Sequence, residues 1–164
     1  MKKSVFLFLV FLGISSFANA QVVKETDVPK AVLDQYHKDY PNIVAMHWEL
    51  NNWKPKKQYV AQLNFNGIST RARYIEDGTK VWSILTYTAN QVTPVMSAAT
   101  LAQFAGFKVD WATEVKNYSN NTDVIDLRMS KSGYILHAYV NPDGTVFSDQ
   151  SKMPDQFKTD VKPQ

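Results

Sequence analysis

The feature that most constrains this chain is a pattern that occurs twice: a helix signal, then alternating strands, then an Asp-Gly turn. The turn pair Asp77-Gly78 recurs as Asp143-Gly144, 66 residues later, and Pro29 recurs as Pro94, 65 residues later. Self-similarity at such a period is typical of repeated copies of one supersecondary unit. We therefore expect two successive copies of one α+β unit.

The first twenty residues have the pattern of a signal peptide. Lys2 and Lys3 precede the apolar run 5–14, and Ala18-Asn19-Ala20 has the small-x-small pattern of a cleavage site. The run is shorter than the roughly 20 apolar residues that a membrane-spanning helix needs. We therefore expect cleavage after Ala20, no transmembrane anchor, and a periplasmic or secreted protein.

Charge and cysteine content narrow the function classes. The chain has 18 basic and 15 acidic residues, and two of the basic ones lie in the signal, so the mature net charge is 16 minus 15, or +1. A nearly neutral protein lacks the field that captures nucleic acid, so we expect no such partner. With no cysteine, the fold depends on one packed core shared by both halves.

The first half follows a polar leader, residues 21–27, and spans 28–92. A helix is predicted from Val28-Pro29 to Pro41, after which apolar residues alternate with polar ones, as in half-buried strands. The residues expected to face inward in these strands are Val44, Met46, Trp48 and Leu50, then Tyr59, Ala61, Leu63 and Phe65, then Ile68, Thr70, Ala72 and Tyr74.

The second half, 93–150, repeats the plan with a helix over 94–105. Its inward-facing residues are predicted to be Phe107, Val109, Trp111, Thr113 and Val115, then Ile125, Leu127 and Met129, then Tyr134, Leu136, Ala138 and Val140. The final segment, 151–164, is predicted to form either a short helix that caps the sheet or a frayed tail.

The strand patterns indicate the fold class. Because each run is apolar on one side only, the sequence favours antiparallel sheets covered on one face. We expect an α+β fold in which each repeat has a helix and a four-stranded antiparallel sheet, with helices on one face and the other face open.

The chemistry of the second Asp-Gly turn predicts a register. Pro142 has no N–H and cannot be the paired residue that closes a two-residue Asp-Gly hairpin, but it fits the second position of a type I turn. This favours a three-residue loop that pairs Asn141 with Thr145. Val140 then meets Val146 on the inner face, while Tyr139 meets Phe147 on the open face as an exposed aromatic pair.

The same register in the first half pairs Ile75 with Thr79 and puts Trp82 in the core, opposite Ala72. A two-residue turn would instead direct Trp82 outward, beside Arg73, as a cation–π pair. The repeat favours the core position, since it argues for one turn type.

Candidate partner-binding residues lie on the open face and in the hairpin loops. Arg and aromatic side chains are enriched at the centres of protein interfaces. Those on the open face are Arg71, Arg73, His137, Tyr139 and Phe147; the first hairpin loop of each half adds Trp53 and Tyr118.

The motifs resemble a known family. The Val28-Pro29 helix start, Tyr40-Pro41 before the first strand, the Asp-Gly turn and the Thr93-Pro94 helix start are similar to PepSY-like domains of exported bacterial proteins, which have a β-lactamase-inhibitor-like fold. The resemblance spans 28–150. It implies tandem helix-plus-four-strand units, a curved sheet, and binding or inhibition through the open face and hairpin loops. It brings no agreed catalytic residues.

The leading hypothesis is a module that binds an exported or envelope protein and inhibits a hydrolase. The alternative is a glycan- or small-ligand-binding module that stacks sugars on Trp53, Tyr118 and Tyr139. An enzyme is the third hypothesis. We predict no catalytic residues, cofactor or metal, because the sequence contains no G-x-S-x-G or H-E-x-x-H motif, and His47 with Glu49 makes only two metal ligands.

Overall fold

A computed structural model describes residues 20–52 and 56–158. These residues form one antiparallel sheet whose eight strands are adjacent in chain order. The strands are β1 (Gln21–Val23), β2 (His47–Asn51), β3 (Gln58–Phe65), β4 (Ile68–Ile75), β5 (Lys80–Thr88), β6 (Lys108–Asn117), β7 (Thr122–Lys131) and β8 (Tyr134–Val140); the helices are α1 (Lys30–Asp39), α2 (Ala89–Val95), α3 (Ala98–Ala102) and α4 (Asp155–Lys158). The predicted α+β class and antiparallel sheet are confirmed.

Helix α1 covers the first half of the sheet with an aromatic cluster. Pro29 is its N-cap residue, where a missing N–H costs no helical hydrogen bond. Tyr36, on the side of α1 that faces the sheet, is buried. Its ring centroid lies 5.1 Å from that of Trp48 and 6.5 Å from that of Tyr74. We call the sheet side beneath α1 the helix face and the opposite side the open face.

Two short helices cover the second half of the helix face. Thr88 and Gln91 form a capping box at the start of α2, and Ser97 accepts a hydrogen bond from the Thr100 amide at the start of α3. Aliphatic residues and methionines fill the space below: Val92, Met96, Leu127, Met129 and Val140. The helix signal predicted from residue 94 thus begins earlier, at Ala89.

Two stretches near the start of the chain differ from the predictions. Residues 21–27 were expected to form a loose leader, but Gln21–Val23 is an edge strand that pairs with β2. The first predicted strand begins only at His47, and Val44 and Met46, expected inside, are exposed. Residues 1–19 of the predicted signal peptide and residues 159–164 of the C-terminal tail lie outside the described residues.

Two β-bulges move side chains to the face opposite the predicted one. The loop from Ile75 to Thr79 has the predicted length, but a register shift then pairs Arg73 with Trp82. Trp82 therefore lies on the open face, and the favoured core position opposite Ala72 is wrong. A bulge between Val109 and Trp111 likewise turns Trp111 to the open face. Thr113 and Val115, which follow it at alternate positions in β6, lie on the same face.

The second half lacks a full fourth strand. The predicted turn register is confirmed, because the Asn141 amide donates to the Thr145 carbonyl over 2.8 Å and Val140 pairs with Val146. Beyond that single bridge, the chain crosses the open face. Met153 and Phe157 bury themselves against Val115 and Val124, so the predicted open face is covered there. We call residues 150–158 the C-terminal segment.

Candidate functional site

Arg71 lies on the open face of the first half, within a polar cluster. Its Nη2 donates to Glu49 Oε2 over 2.8 Å, and Gln62 Nε2 donates to Glu49 Oε1 over 2.6 Å. Burial alone would raise the pKa of Glu49, but the charge of Arg71 and hydrogen bonds from His47, Gln62 and Arg71 outweigh it and lower that pKa. This cluster is therefore a charge-compensated surface.

Arg73 lies next to Arg71 in a different environment. Its Cζ atom is 4.3 Å from the centroid of the Trp82 ring, as the outward alternative predicted. Burial and the repulsion of Arg71 lower the pKa of Arg73 to about 10. Arg73 is thus a half-buried cation held against an aromatic ring.

Tyr139 and Phe147 do not form the exposed aromatic pair that was predicted. They are adjacent in the expected register, but Phe147 is only 9% exposed. The Tyr139 ring lies 5.4 Å from the Phe157 ring. The C-terminal segment covers both residues. It packs there because burying Val115 and Val124 beneath it removes apolar surface from water.

His137 lies on the open face, as predicted, in the middle of β8, and a buried carboxylate holds it. Its Nδ1 is 3.0 Å from Asp126 Oδ2, and Asp126 is only 1% exposed. The Trp111 ring packs at 6.1 Å from the His137 ring. Arg128 sits between them in the strand register and donates to Asp110 over 2.8 Å.

Trp111, Arg128 and His137 form one row across β6, β7 and β8, which we call the tryptophan patch. A depression of about 380 Å³ adjoins it, lined by Thr86 and Thr113 among others. The sequence analysis assigned no function to Trp111 or Arg128, because simple alternation put Trp111 in the core. The sequence contains no signal for this bulge, because polar Asp110 occupies an outward position in the expected alternation.

The two loop candidates have different outcomes. Tyr118 lies on the helix face, opposite the arginines, and is 48% exposed. Lys80 Nζ sits 4.8 Å from the Tyr118 ring centroid, and Ser83 Oγ is 3.2 Å from the Tyr118 hydroxyl. Trp53 lies outside the described residues. The predicted site residues thus do not form one continuous surface.

Residues 20–52 and 56–158 contain neither a metal-binding group of side chains nor a membrane-spanning helix. His47 Nε2 lies 3.3 Å from Glu49 Oε1, and no group of three or more histidine or acidic side chains arranged to hold a metal occurs in these ranges. Within residues 20–52 and 56–158, no helix has the length and apolar character required to span a bilayer.

Comparison with known proteins gives a structural relationship only. Neither the protein-family collections nor the curated proteins contain a match to this sequence. Among solved structures, a BLIP-like protein from Bacteroides fragilis NCTC 9343 superposes with a TM-score of 0.55 at 18% identity, covering 73% of this chain and 84% of that one. This chain has a BLIP-like fold.

Two further structures support the same fold. A DUF2874 family protein from Bacteroides ovatus ATCC 8483 gives a TM-score of 0.56 at 18% identity and covers 73% of this chain and 84% of its own. A proposed periplasmic protein from Bacteroides eggerthii DSM 20697 gives 0.53 at 22% identity, with coverages of 74% and 86%. The β-lactamase-inhibitor-like fold expected from the sequence is thereby confirmed.

Proposed function

We propose that this protein is an exported binding module that recognises another exported or envelope protein through the tryptophan patch. The observation that carries the proposal is the row of Trp111, Arg128 and His137 on the uncovered part of the open face. Trp and Arg are the residue types most enriched among interface hot spots. Ile135, 58% exposed in the same strand as His137, extends the apolar surface.

The patch is organised before a partner arrives. Asp110 accepts a hydrogen bond from Arg128 and a second one, over 2.9 Å, from the Ser130 hydroxyl. Buried Asp126 holds His137. Ordering a long side chain on binding costs about 0.5–1.5 kcal/mol, and these ion pairs remove much of that cost. A rigid sheet with fixed aromatic and cationic groups favours binding by surface complementarity.

We infer that the finer family assignment is a PepSY-like tandem repeat. In each half, the Asp-Gly turn touches the helix of its own half: a Cβ on Gly78 would meet Ala31, and one on Gly144 would meet Thr100. The preceding aspartates, Asp77 and Asp143, accept from the amide two residues later at 2.8 and 2.9 Å. Equivalent contacts at equivalent positions support a duplicated unit.

The proposed target is a hydrolase in the same compartment, which the module inhibits. The proposal of a hydrolase target rests on one structural neighbour that is described as BLIP-like. The proposal of a shared compartment rests on another neighbour that is described as a proposed periplasmic protein. Export requires that residues 1–20 act as a signal peptide cleaved after Ala20. Amino-terminal sequencing of the protein recovered from the periplasm or medium tests that requirement, since the first residue should be Gln21.

The other hypotheses have less support. Sugar stacking needs free aromatic faces, whereas Lys80 lies against Tyr118 and Phe157 packs on Tyr139. An enzyme could use the pair of His137 and Asp126, but this pair already has a role in orienting the patch.

Site-specific photo-crosslinking in the native envelope tests the proposal. A photoreactive amino acid in place of Thr86, which is exposed beside Trp111, should give a discrete adduct with one envelope protein. The same amino acid in place of Lys38, exposed on the outer side of α1, is the matched control. The Thr86 adduct should disappear with Trp111→Ala. Equal adducts at both positions, or an adduct that survives Trp111→Ala, would refute the patch.

A further inference from the structure

A second concave site lies on the open face of the first half, separate from the tryptophan patch. This cleft has a volume of about 570 Å³, within the range of small-ligand sites, and lies between the sheet and the C-terminal segment. The lining residues from the sheet and its hairpin loop are Gln58, Arg73, Val81, Trp82, Asn117 and Asn120. The C-terminal segment contributes both polar and apolar side chains: Ser151, Met153, Pro154, Asp155 and Gln156.

Arg73 enters this cleft, which Asp155 of the C-terminal segment also lines. Within the described residues, its guanidinium makes no hydrogen bond or ion pair, and its buried Nε has no partner. Neighbouring Arg71 also has an unpaired Nε, but its Nη2 binds Glu49 at 2.8 Å. Burying a charged group without a partner is costly, so the Arg73 environment favours a bound anion.

The amide of Gln58 provides a second unsatisfied group in the same cleft. Gln58 and Arg73 lie on adjacent strands on the open face, and Gln58 Oε1 is buried with no hydrogen-bond partner. Buried polar atoms are paired in the great majority of proteins, and each exception requires an explanation. An unpaired donor and an unpaired amide lining one cleft point to a ligand with complementary groups.

We propose that this cleft binds a carboxylate that carries a neighbouring amide, as the C-terminal residue of a peptide does. The carboxylate accepts from Arg73, whose planar donors fit a carboxylate, and the ligand's amide bonds the Gln58 side chain. Trp82 supports one side of the guanidinium at 4.3 Å. Val81, Met153 and Pro154 supply the apolar part of the lining and suit an apolar terminal side chain, beside polar residues that include Asp155.

NMR titration with a minimal ligand tests this site directly. N-acetyl-leucine has the carboxylate, the amide and an apolar side chain, whereas N-acetyl-leucinamide lacks only the charge. The indole N–H signal of Trp82 should shift on titration with N-acetyl-leucine, and the amide analogue should bind at least about tenfold more weakly. Acetate, which lacks the amide and the side chain, should also bind more weakly.

Matched arginine variants separate the cleft from general surface charge. Arg73→Gln should weaken N-acetyl-leucine binding at least about tenfold, while Arg71→Gln, two residues away, should change it less than about twofold. Gln58→Met keeps the side-chain length and should weaken binding about threefold or more, which tests the site even if Arg73→Gln unfolds.

Several results would overturn the proposal. They are no shift of the Trp82 signal at millimolar N-acetyl-leucine, equal binding of the amide analogue, or equal losses in the Arg71 and Arg73 variants. Equal binding of acetate would overturn the amide contact and reduce the site to one for small carboxylates. Each result is independent of the tryptophan patch, whose crosslink should persist in Arg73→Gln.

Discussion

Strands β4 and β7 lie in the two halves of one sheet but are buried differently. In β4, buried positions alternate with partly exposed ones from Thr70 to Ile75. In β7, the four consecutive residues 124–127 are all buried. The difference arises because α1 covers β4 on one face, whereas α2, α3 and the C-terminal segment together cover β7 on both.

This comparison shows how one architecture supports two kinds of open surface. The first half exposes a compensated ion-pair cluster and leaves Arg73 in a cleft. The second half hides its apolar centre beneath Met153 and Phe157, and the tryptophan patch lies beyond that cover and is partly exposed. Under the proposed function, recognition is therefore confined to the margins of the open face.

The largest expected effect comes from removing the cover over β7. The double substitution Met153→Ala and Phe157→Ala deletes two side chains that are each 4% exposed. Large-to-small changes at buried sites cost about 2–5 kcal/mol each, so we expect a loss of about 4–10 kcal/mol in urea unfolding. Tyr134→Ala, at a residue 76% exposed, should cost less than about 0.5 kcal/mol. Similar losses in both variants would mean that the segment does not cover the sheet.

The next effect compares the two turn glycines. Gly78 and Gly144 have φ values of 89° and 85°, which disfavour any side chain. A Cβ on Gly78 would lie 2.6 Å from the Ala31 carbonyl oxygen, which belongs to the backbone, whereas one on Gly144 would overlap the Thr100 hydroxyl, a side-chain group that could yield by giving up its contact with Ser97. Gly78→Ala should therefore cost about 3 kcal/mol and Gly144→Ala about 1–2 kcal/mol in chemical unfolding. The reverse order would contradict the predicted helix–turn contacts.

A smaller effect depends on pH and distinguishes the halves. Burial and the charge of Glu114 raise the pKa of Asp123 to about 6. Because an unfolded aspartate titrates near about 3.9, the folded state binds the proton more tightly, and stability falls as the pH rises from about 4 through 6. Between pH 4 and pH 7, the unfolding free energy of Asp123→Asn should fall by about 1 kcal/mol less than that of the wild type.

Glu49 should behave in the opposite way. Its pKa is lowered in the folded state, so its stabilising contribution is present at neutral pH and lost as the pH falls below about 4. Glu49→Gln should therefore destabilise at pH 7 and have little effect at pH 3. A pH-independent loss would argue against the ion pair with Arg71.

The smallest effect concerns that ion pair itself. The Arg71 side chain is 41% exposed, and exposed ion pairs contribute about 0–1 kcal/mol. Arg71→Ala should cost about 0.5 kcal/mol at low salt and less at high salt. A loss above about 2 kcal/mol would place Arg71 in the core energetics rather than at the surface.

Much of the first half could be predicted from sequence. The alternation in β3 and β4 correctly put Ala61, Leu63, Ala72 and Tyr74 on the helix face. The second turn's register was correct because Pro142 restricts the loop geometry. These features depend on local properties, side-chain alternation and the restricted backbone of proline, which can be read from the sequence.

The remaining features depend on contacts that local patterns do not encode. A bulge adds one residue without a distinctive sequence, and so Trp82 and Trp111 were both predicted on the wrong face. Cover by Phe157 depends on a contact between elements far apart in sequence. The candidate site was therefore predicted in part: Arg71, Arg73 and His137 lie on the open face, while Trp111 and Arg128 were missed.

Hydroxyl-radical footprinting of the protein, alone and bound to its crosslinked partner, tests the central claim most directly. Without the partner, Trp111 should be labelled faster than Trp82, which is 5% exposed, or Phe157, which is 4% exposed. With the partner bound, labelling of Trp111 should fall sharply while that of Tyr118 on the helix face stays constant. Protection of Tyr118 with Trp111 unchanged would contradict recognition through the tryptophan patch.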